Sequence, residues 1–144
     1  MATADDKSRQ HTAVLLAITG LRSGADYRAA EITRRKIGAK QMVAKGPSSS
    51  EYASVRLLIG IWDNIAASAR NDDPLLDRIF EHIPVCHMYE ALREAVEMLR
   101  EEFGDEYAVD FEWLYQQYLL WLERHGKGPE YRAMICGGLH AMFG

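Results

Sequence analysis

Residues 85–103 read VCHMYEALREAVEMLREEF and carry the clearest periodic pattern in the chain. Apolar side chains recur at every third or fourth position, namely Val85, Met88, Leu92, Val96, Leu99 and Phe103. Most of the remaining positions in this stretch hold Glu or Arg. This pattern predicts an amphipathic helix that begins after Pro84, buries one side and ends before Gly104.

Two other long segments have the same spacing of apolar residues. We therefore predict a core of three helices, Ser50–Ala69, Val85–Phe103 and Tyr107–His125. The side chains predicted to be buried in it are Leu58, Ile61, Trp62, Ile65, Leu92, Val96, Leu99, Phe111, Leu114 and Tyr118.

Shorter helical segments and their breaks complete the pattern. The shorter helices are predicted at about 6–19, from 24 or 25 to 37 with a continuation to 44 left open, at 75–82 and at 129–136. The residues predicted to cap helices are Ser48, Asp73 and Asp105. No segment alternates apolar and polar residues for long, so we predict an all-α, single-domain bundle of about six or seven helices.

The charge of this 144-residue chain changes sign at Pro47. Residues 1–47 hold nine basic and four acidic side chains, whereas residues 48–144 hold eight basic and 17 acidic ones. We predict a basic N-terminal helical segment, 1–47, joined to an acidic helical body, 48–144, within one compact domain. The basic segment either contacts an external anion or neutralises the acidic body.

The two cysteines and the apolar run near the N-terminus bear on the cellular compartment of the protein. Cys86 and Cys136 are too few for a disulfide framework, and Cys86 is expected to be a buried thiol, which favours a reducing compartment. The run from Ala13 to Ile18 is far shorter than the roughly 20 apolar residues of a membrane span, so we predict no transmembrane segment. A cytoplasmic location follows as the expectation.

Candidate metal and catalytic patterns are weak. His87, Glu90 and Glu94 lie one turn apart along one helix, but they share a side with further glutamates and are expected to be solvated. His82, Cys86 and His87 are interpreted as a helix junction. No phosphate loop or nucleophile motif is present, so we predict neither a cofactor nor a metal nor enzymatic activity.

The segment 113–122 reads WLYQQYLLWL and is rich in aromatic residues on more than one side. Such a helix is buried on two sides or exposes a patch that a partner covers. We expect a non-enzymatic interaction or regulatory module that binds a protein of unknown identity. A second copy across a two-fold axis is favoured as the cover of the second apolar side. The alternative is cover within the chain, by the N-terminal helix with Val14, Leu15 and Ile18 or by the C-terminal helix with Tyr131 and Ile135. The predicted partner-binding residues are Trp113, Gln117, Leu120, Glu94, Glu97 and Glu101.

Nucleic-acid binding is the alternative function. Basic residues recur along the predicted helix around 28–40, where several cations on one side would meet phosphates in a groove. The residues of this alternative site are Arg28, Arg34, Arg35, Lys36 and Lys40.

Residues 52–121 resemble the DUF4760 family of bacterial and phage proteins of unknown function. The resemblance lies in the helix VRLLIGIWDNIA at 55–66, in the acidic break with a short helix at 71–80, and in the long helix that ends before 107–113. It implies a helical fold and a phage-related origin. Many members have an N-terminal membrane helix, which is not predicted here, and the family defines no functional residue to carry over.

Overall fold

The structure is a computed structural model that describes residues 3–126. Within this range the chain is all-α, with seven helices and no β-strand. The helices are α1 (Ala4–Ser23), α2 (Ala25–Ile37), α3 (Ala39–Ala44), α4 (Ser50–Ala69), α5 (Asp73–His82), α6 (Val85–Phe103) and α7 (Val109–Arg124). The predicted fold class is confirmed, and the bounds of α4 and α6 agree with the sequence pattern. The helix predicted at 129–136 lies outside the described residues.

Helix α4 lies at the centre of the bundle and packs against α2, α3 and α7, while α6 packs against α3 and α7. Trp62 of α4 stacks on Phe111 of α7 with ring centroids 5.9 Å apart, and both side chains are fully buried. Nine of the ten predicted core residues are buried. The exception is Ile61, which is half-buried and packs against the edge of the core.

The core includes more than the three predicted helices. Helix α2 packs along α4, and the short α3 packs against α6 and α4. Met42 of α3 and Ala30 of α2 are completely buried. The basic N-terminal segment is therefore packed on the acidic body through its own apolar side.

The predicted end of the second helix at Ile37 is confirmed, and the alternative of a continuation to Ala44 is wrong. Gly38 adopts φ +84° and ψ 150°, a conformation that is essentially restricted to glycine and that no helix accommodates. Its backbone N–H still bonds the carbonyl of Arg34, which ends α2, and α3 then begins at Ala39 in a new direction. Lys40 consequently belongs to a different helix from Arg28 and Arg35.

Several predicted helix ends are displaced by one to four residues. The first helix extends beyond both predicted ends because Thr3 and Asp6 form a capping box and Gly20 does not interrupt it. The cap of α4 is Ser49, not Ser48, and the cap of α5 is Asp72, not Asp73. Asp105 does not cap α7, which begins after Ala108 in a left-handed conformation with φ 59°.

Cys86 lies at the start of α6 and is completely buried. It is disulfide-bonded, so the expectation of a free buried thiol is wrong. Cys86 therefore gives no support to a reducing compartment. None of the helices in residues 3–126 has the length and apolar character that a membrane crossing requires.

Candidate functional site

The outward side of α7 carries three apolar side chains and one amide in a row, which we call the α7 stripe and define as Val109, Trp113, Gln117 and Leu120. Val109 is 49% exposed and Leu120 is 47% exposed. Trp113 and Gln117 are half-buried. The spacing of four, four and three residues aligns these side chains along one side of the helix. Most aromatic side chains of α7 face inward instead, so less aromatic surface is exposed than the sequence pattern predicts.

Trp113 is held in place by neighbours from two helices. The guanidinium of Arg70, just after α4, lies 4.7 Å from the centre of the Trp113 ring. Arg70 also donates to Asp110 of α7 at 2.6 Å. The ion pair keeps the cation over the indole face, an arrangement that the ring quadrupole favours. One face of the indole is thus already covered within the chain.

The inward aromatic residues of α7 form the core instead of a surface. Tyr89 of α6 contacts Phe111 edge-on, with ring centroids 5.0 Å apart, and stacks on Tyr115 at 4.6 Å. Tyr118 lies edge-on against Phe80 of α5 at 5.2 Å. Burial of these rings is the main reason why this helix is so aromatic.

The acidic face of α6 consists of Glu94, Glu97 and Glu101, which are all exposed. None of the three takes part in an ion pair within residues 3–126. Like the α7 stripe, the acidic face points away from the core on its own helix, and α6 packs directly against α7. Within residues 3–126 the side-chain contacts between α6 and α7 are made by Phe111, Glu112 and Tyr115 of α7, so neither the α7 stripe nor the acidic face lies in the contact between the two helices.

Tyr115 joins α7 to α6. Its hydroxyl donates to Glu90 at 3.0 Å and accepts from Arg93 at 3.0 Å. Burial, followed by the bond to Glu90 and the negative charge of that carboxylate, raises the pKa of Tyr115. Glu90 is thus committed to Tyr115, while Glu94 is free in solvent. Within the described residues no group of three His, Cys, Asp or Glu side chains is arranged to hold a metal ion.

The five basic residues of the alternative site do not form one stripe. Arg28, Arg35 and Lys36 are exposed on α2, but Lys40 lies on α3 beyond Gly38. Arg34 is only 1% exposed, because positions 27, 30 and 34 form the inner side of α2. The prediction of one continuous basic surface is therefore wrong for Arg34 and Lys40.

Three of these arginines instead line a cavity of about 530 Å³ between the end of α1, α2 and the start of α6. We call it the arginine cavity. Its charged or titratable lining residues are Arg22, Tyr27, Arg28, Glu31, Arg34, Arg35 and His87. Arg22 and Glu31 belong to no site predicted from the sequence, and His87 is considered there only as a metal ligand or as part of a helix junction. Helical spacing on α2 places Glu31 one turn from Arg34, so the sequence could have indicated this pair. Arg22 and His87 are brought to the same cavity only by the packing of α1 and α6 against α2.

Glu31 and Arg34 form the inner part of the arginine cavity. Arg34 Nε and Nη2 both donate to Glu31 Oε2, at 3.1 and 2.9 Å. The other guanidinium nitrogen, Arg34 Nη1, and the other carboxylate oxygen, Glu31 Oε1, are buried and have no hydrogen-bond partner. A buried donor without a partner costs about 1–3 kcal/mol, so such atoms in a native protein need an explanation.

Arg22 and Tyr27 connect the cavity to the core. The guanidinium of Arg22 lies 5.5 Å from the centre of the Trp62 ring. Trp62 Nε1 donates to the hydroxyl of Tyr27 at 3.0 Å. Burial, and then the charge of Glu31, raises the pKa of Tyr27. Arg22 of α1 and Tyr27 of α2 therefore both contact Trp62, a core residue of α4.

Comparison of the chain with protein-family models, with curated proteins and with solved structures finds no match in any of the three. The resemblance to the DUF4760 family therefore stays an expectation drawn from the sequence.

Proposed function

We propose that this chain is a non-enzymatic protein-interaction module, of regulatory and phage-related character, which binds its partner through the α7 stripe and the acidic face of α6. The observation that supports it is the exposure of Leu120 and Val109, at 47% and 49%, on a helix whose other sides are packed. Apolar side chains at the middle of a patch with charged side chains at its edge are the usual composition of protein interfaces.

The partner of such a surface needs an apolar centre and basic groups at its edge. A second copy of this chain is the partner that we favour, because two-fold homodimers are the commonest soluble assemblies. The basic exposed residues of α2, Arg28, Arg35 and Lys36, provide a complementary charge within the same sequence. A cytoplasmic location is part of this proposal and rests on the sequence alone.

The experiment is sedimentation velocity of the full chain over a wide concentration range. We expect a concentration-dependent dimer that Leu120→Glu or Trp113→Glu weakens at least about tenfold, because a charge would be buried without a partner. Leu57→Glu is the matched control, since Leu57 is 38% exposed on α4, away from the stripe.

A dimer that survives both α7 variants would place the interface elsewhere on the surface. A monomer at every concentration would remove the second copy as the partner. In that case, capture of one protein by the wild-type chain and by Leu57→Glu, but not by Leu120→Glu, would support a different protein partner on the same surface.

Nucleic-acid binding is the second candidate, and the exposed cations of α2 favour it. A gel-shift titration of a DNA duplex at two salt concentrations tests it with Arg28→Ala, Arg35→Ala and Lys36→Ala combined. A phosphate-driven complex weakens steeply as salt rises, whereas an apolar interface responds much less. Tight, salt-sensitive binding that this triple variant abolishes would favour nucleic acid over the protein-interaction module.

A further inference from the structure

The arginine cavity carries a charge that the described residues do not neutralise. Four guanidinium groups line it, those of Arg22, Arg28, Arg34 and Arg35, against the single carboxylate of Glu31. Within residues 3–126, Arg34 is the one member of the four that takes part in an ion pair. The formal excess is therefore three positive charges around the arginine cavity, which strongly favours the binding of an anion there.

Arg34 lines the arginine cavity and has one guanidinium nitrogen without a partner. Its side chain is 1% exposed, and Nη1 has no partner although Nε and Nη2 are both bound to Glu31. The ion pair holds the guanidinium plane in one orientation. With Nε and Nη2 held by Glu31, Nη1 is the guanidinium nitrogen left to donate a charged hydrogen bond to a phosphate oxygen.

The exposed side chains at the rim complete the donor set. Arg28 and Arg35 lie seven residues apart, so they occupy the same side of α2, two turns from each other. Ile32 lies between them and is 53% exposed. Two long cations thus flank the opening, where they can draw an anion inward toward Arg34.

The volume of the cavity and its apolar lining residues indicate that the bound anion also has an organic portion. A volume of about 530 Å³ is much larger than one phosphate group and lies in the usual range for small organic ligands. Ile32 of α2, Pro84 just before α6 and Met88 of α6 also line this space. The anionic end would meet the arginines, and an apolar portion would contact these three side chains.

From these observations we infer that the arginine cavity binds a small organic phosphate, with Arg34, Arg28 and Arg35 on the phosphate group. A dianionic phosphate matches the excess charge better than a carboxylate, which carries one negative charge and two acceptor oxygens. A nucleic-acid duplex fits this set of residues less well, because the side chain of Arg34 is buried and Lys40 lies on another helix. This site is separate from the surface on α6 and α7.

The test is calorimetric titration of the full chain with phenyl phosphate, inorganic phosphate and benzoate at constant ionic strength. We expect saturable binding of phenyl phosphate, weaker binding of inorganic phosphate, and little binding of benzoate. Arg35→Ala and Arg28→Ala should each weaken phenyl phosphate by about tenfold, the value of one charged hydrogen bond. Lys36→Ala is the matched control, because Lys36 is an exposed cation beside Arg35 that does not line the cavity.

A second readout reports on Arg34 without requiring a variant to fold. The Nε–Hε signals of Arg34, Arg28 and Arg35 should shift in ¹⁵N-edited NMR spectra on addition of phenyl phosphate, and Arg9 and Arg124 should not respond. Equal weakening by Lys36→Ala and Arg35→Ala would overturn the proposal, because it would reveal general charge attraction. Binding of benzoate as tight as that of phenyl phosphate, or tighter binding of a single-stranded DNA oligomer, would overturn the ligand class.

Discussion

Arg34 and Glu31 form an ion pair across one turn of α2, and both side chains are largely withdrawn from water, at 1% and 12% exposed. The guanidinium donates twice to the same carboxylate oxygen. The pair lies where α2 faces α4 and lines the arginine cavity at the same time. Each charge depends on the other, because neither is hydrated as it would be in the unfolded chain.

Glu31→Gln should lower the free energy of unfolding by about 2–4 kcal/mol, because it leaves the buried guanidinium of Arg34 without its counter-charge. Urea unfolding followed by circular dichroism measures this change. Glu81→Gln makes the same chemical change at an exposed position of α5 and should stay within about 0.5 kcal/mol of the wild type. Equal stabilities of the two variants would contradict the dependence of Arg34 on Glu31.

Gly38→Ala should destabilise the fold by about 1–3 kcal/mol, since alanine strongly disfavours the φ of +84° and ψ of 150° at this junction. A Cβ at Gly38 meets no atom within 4 Å, so the cost is one of backbone conformation and not of space. Gly60 also has free space around it but lies inside α4. Gly60→Ala should therefore stabilise by up to about 1 kcal/mol. Thermal unfolding of the two variants should give shifts of opposite sign.

The sequence predicts the long helices well because their apolar residues repeat at the helical period. Val96 and Leu99 on α6, for example, are fully buried as the spacing indicates. The same spacing does not distinguish a charged residue on the outer side of α2 from one on the inner side. Arg34 is predicted as a phosphate contact on this ground, whereas in the structure it shares the buried side of α2 with Tyr27 and Ala30.

The candidate sites were predictable in part. Exposure of Leu120 and of the α6 glutamates follows from helical periodicity, and the structure agrees with it. The arginine cavity was not predictable, because it combines Arg22 of α1 and His87 of α6 with α2. Such a combination depends on how three helices pack, and one sequence carries no direct signal of that.

Stability should fall between about pH 10 and pH 12 because of Tyr89. Burial, and then the charge of Glu112, raises the pKa of Tyr89 to about 12, even though Arg100 and Arg93 act in the opposite direction. The unfolded tyrosine has a pKa of about 10, so the folded state holds this proton more tightly. The stabilisation is complete below pH 10 and is lost as the pH rises toward 12.

Urea unfolding at a series of alkaline pH values measures this loss, which we expect to be about 1–3 kcal/mol. Tyr89→Phe is the control, because it removes the titrating hydroxyl and keeps the ring that contacts Phe111. The variant should show a shallower decline of stability over the same pH range. A decline as steep as that of the wild type would mean that other groups cause it.

Asp72 links the attachment of α1 to the cap of α5 through its two carboxylate oxygens. Oδ1 accepts from the backbone N–H of Leu75 at 3.2 Å, and Oδ2 lies 3.0 Å from His11 Nε2. His11 and Ile18 are the buried residues of α1, so this contact fixes much of its N-terminal half. Asp72→Ser keeps a good capping group but is too short for His11, whereas Asp72→Ala loses both functions.

Hydrogen–deuterium exchange of peptides from α1 and α5 separates these two functions. Asp72→Ser and His11→Ala should speed exchange in α1 and leave α5 nearly unchanged, because the cap is kept. Asp72→Ala should speed exchange in both helices and lower the free energy of unfolding by about a further 1 kcal/mol. Gln10→Ala, at an exposed position beside His11, should change neither helix. Unchanged exchange of α1 in His11→Ala would show that Arg78, which donates to the carbonyl of Ser8 and to Thr12, is sufficient to hold this helix.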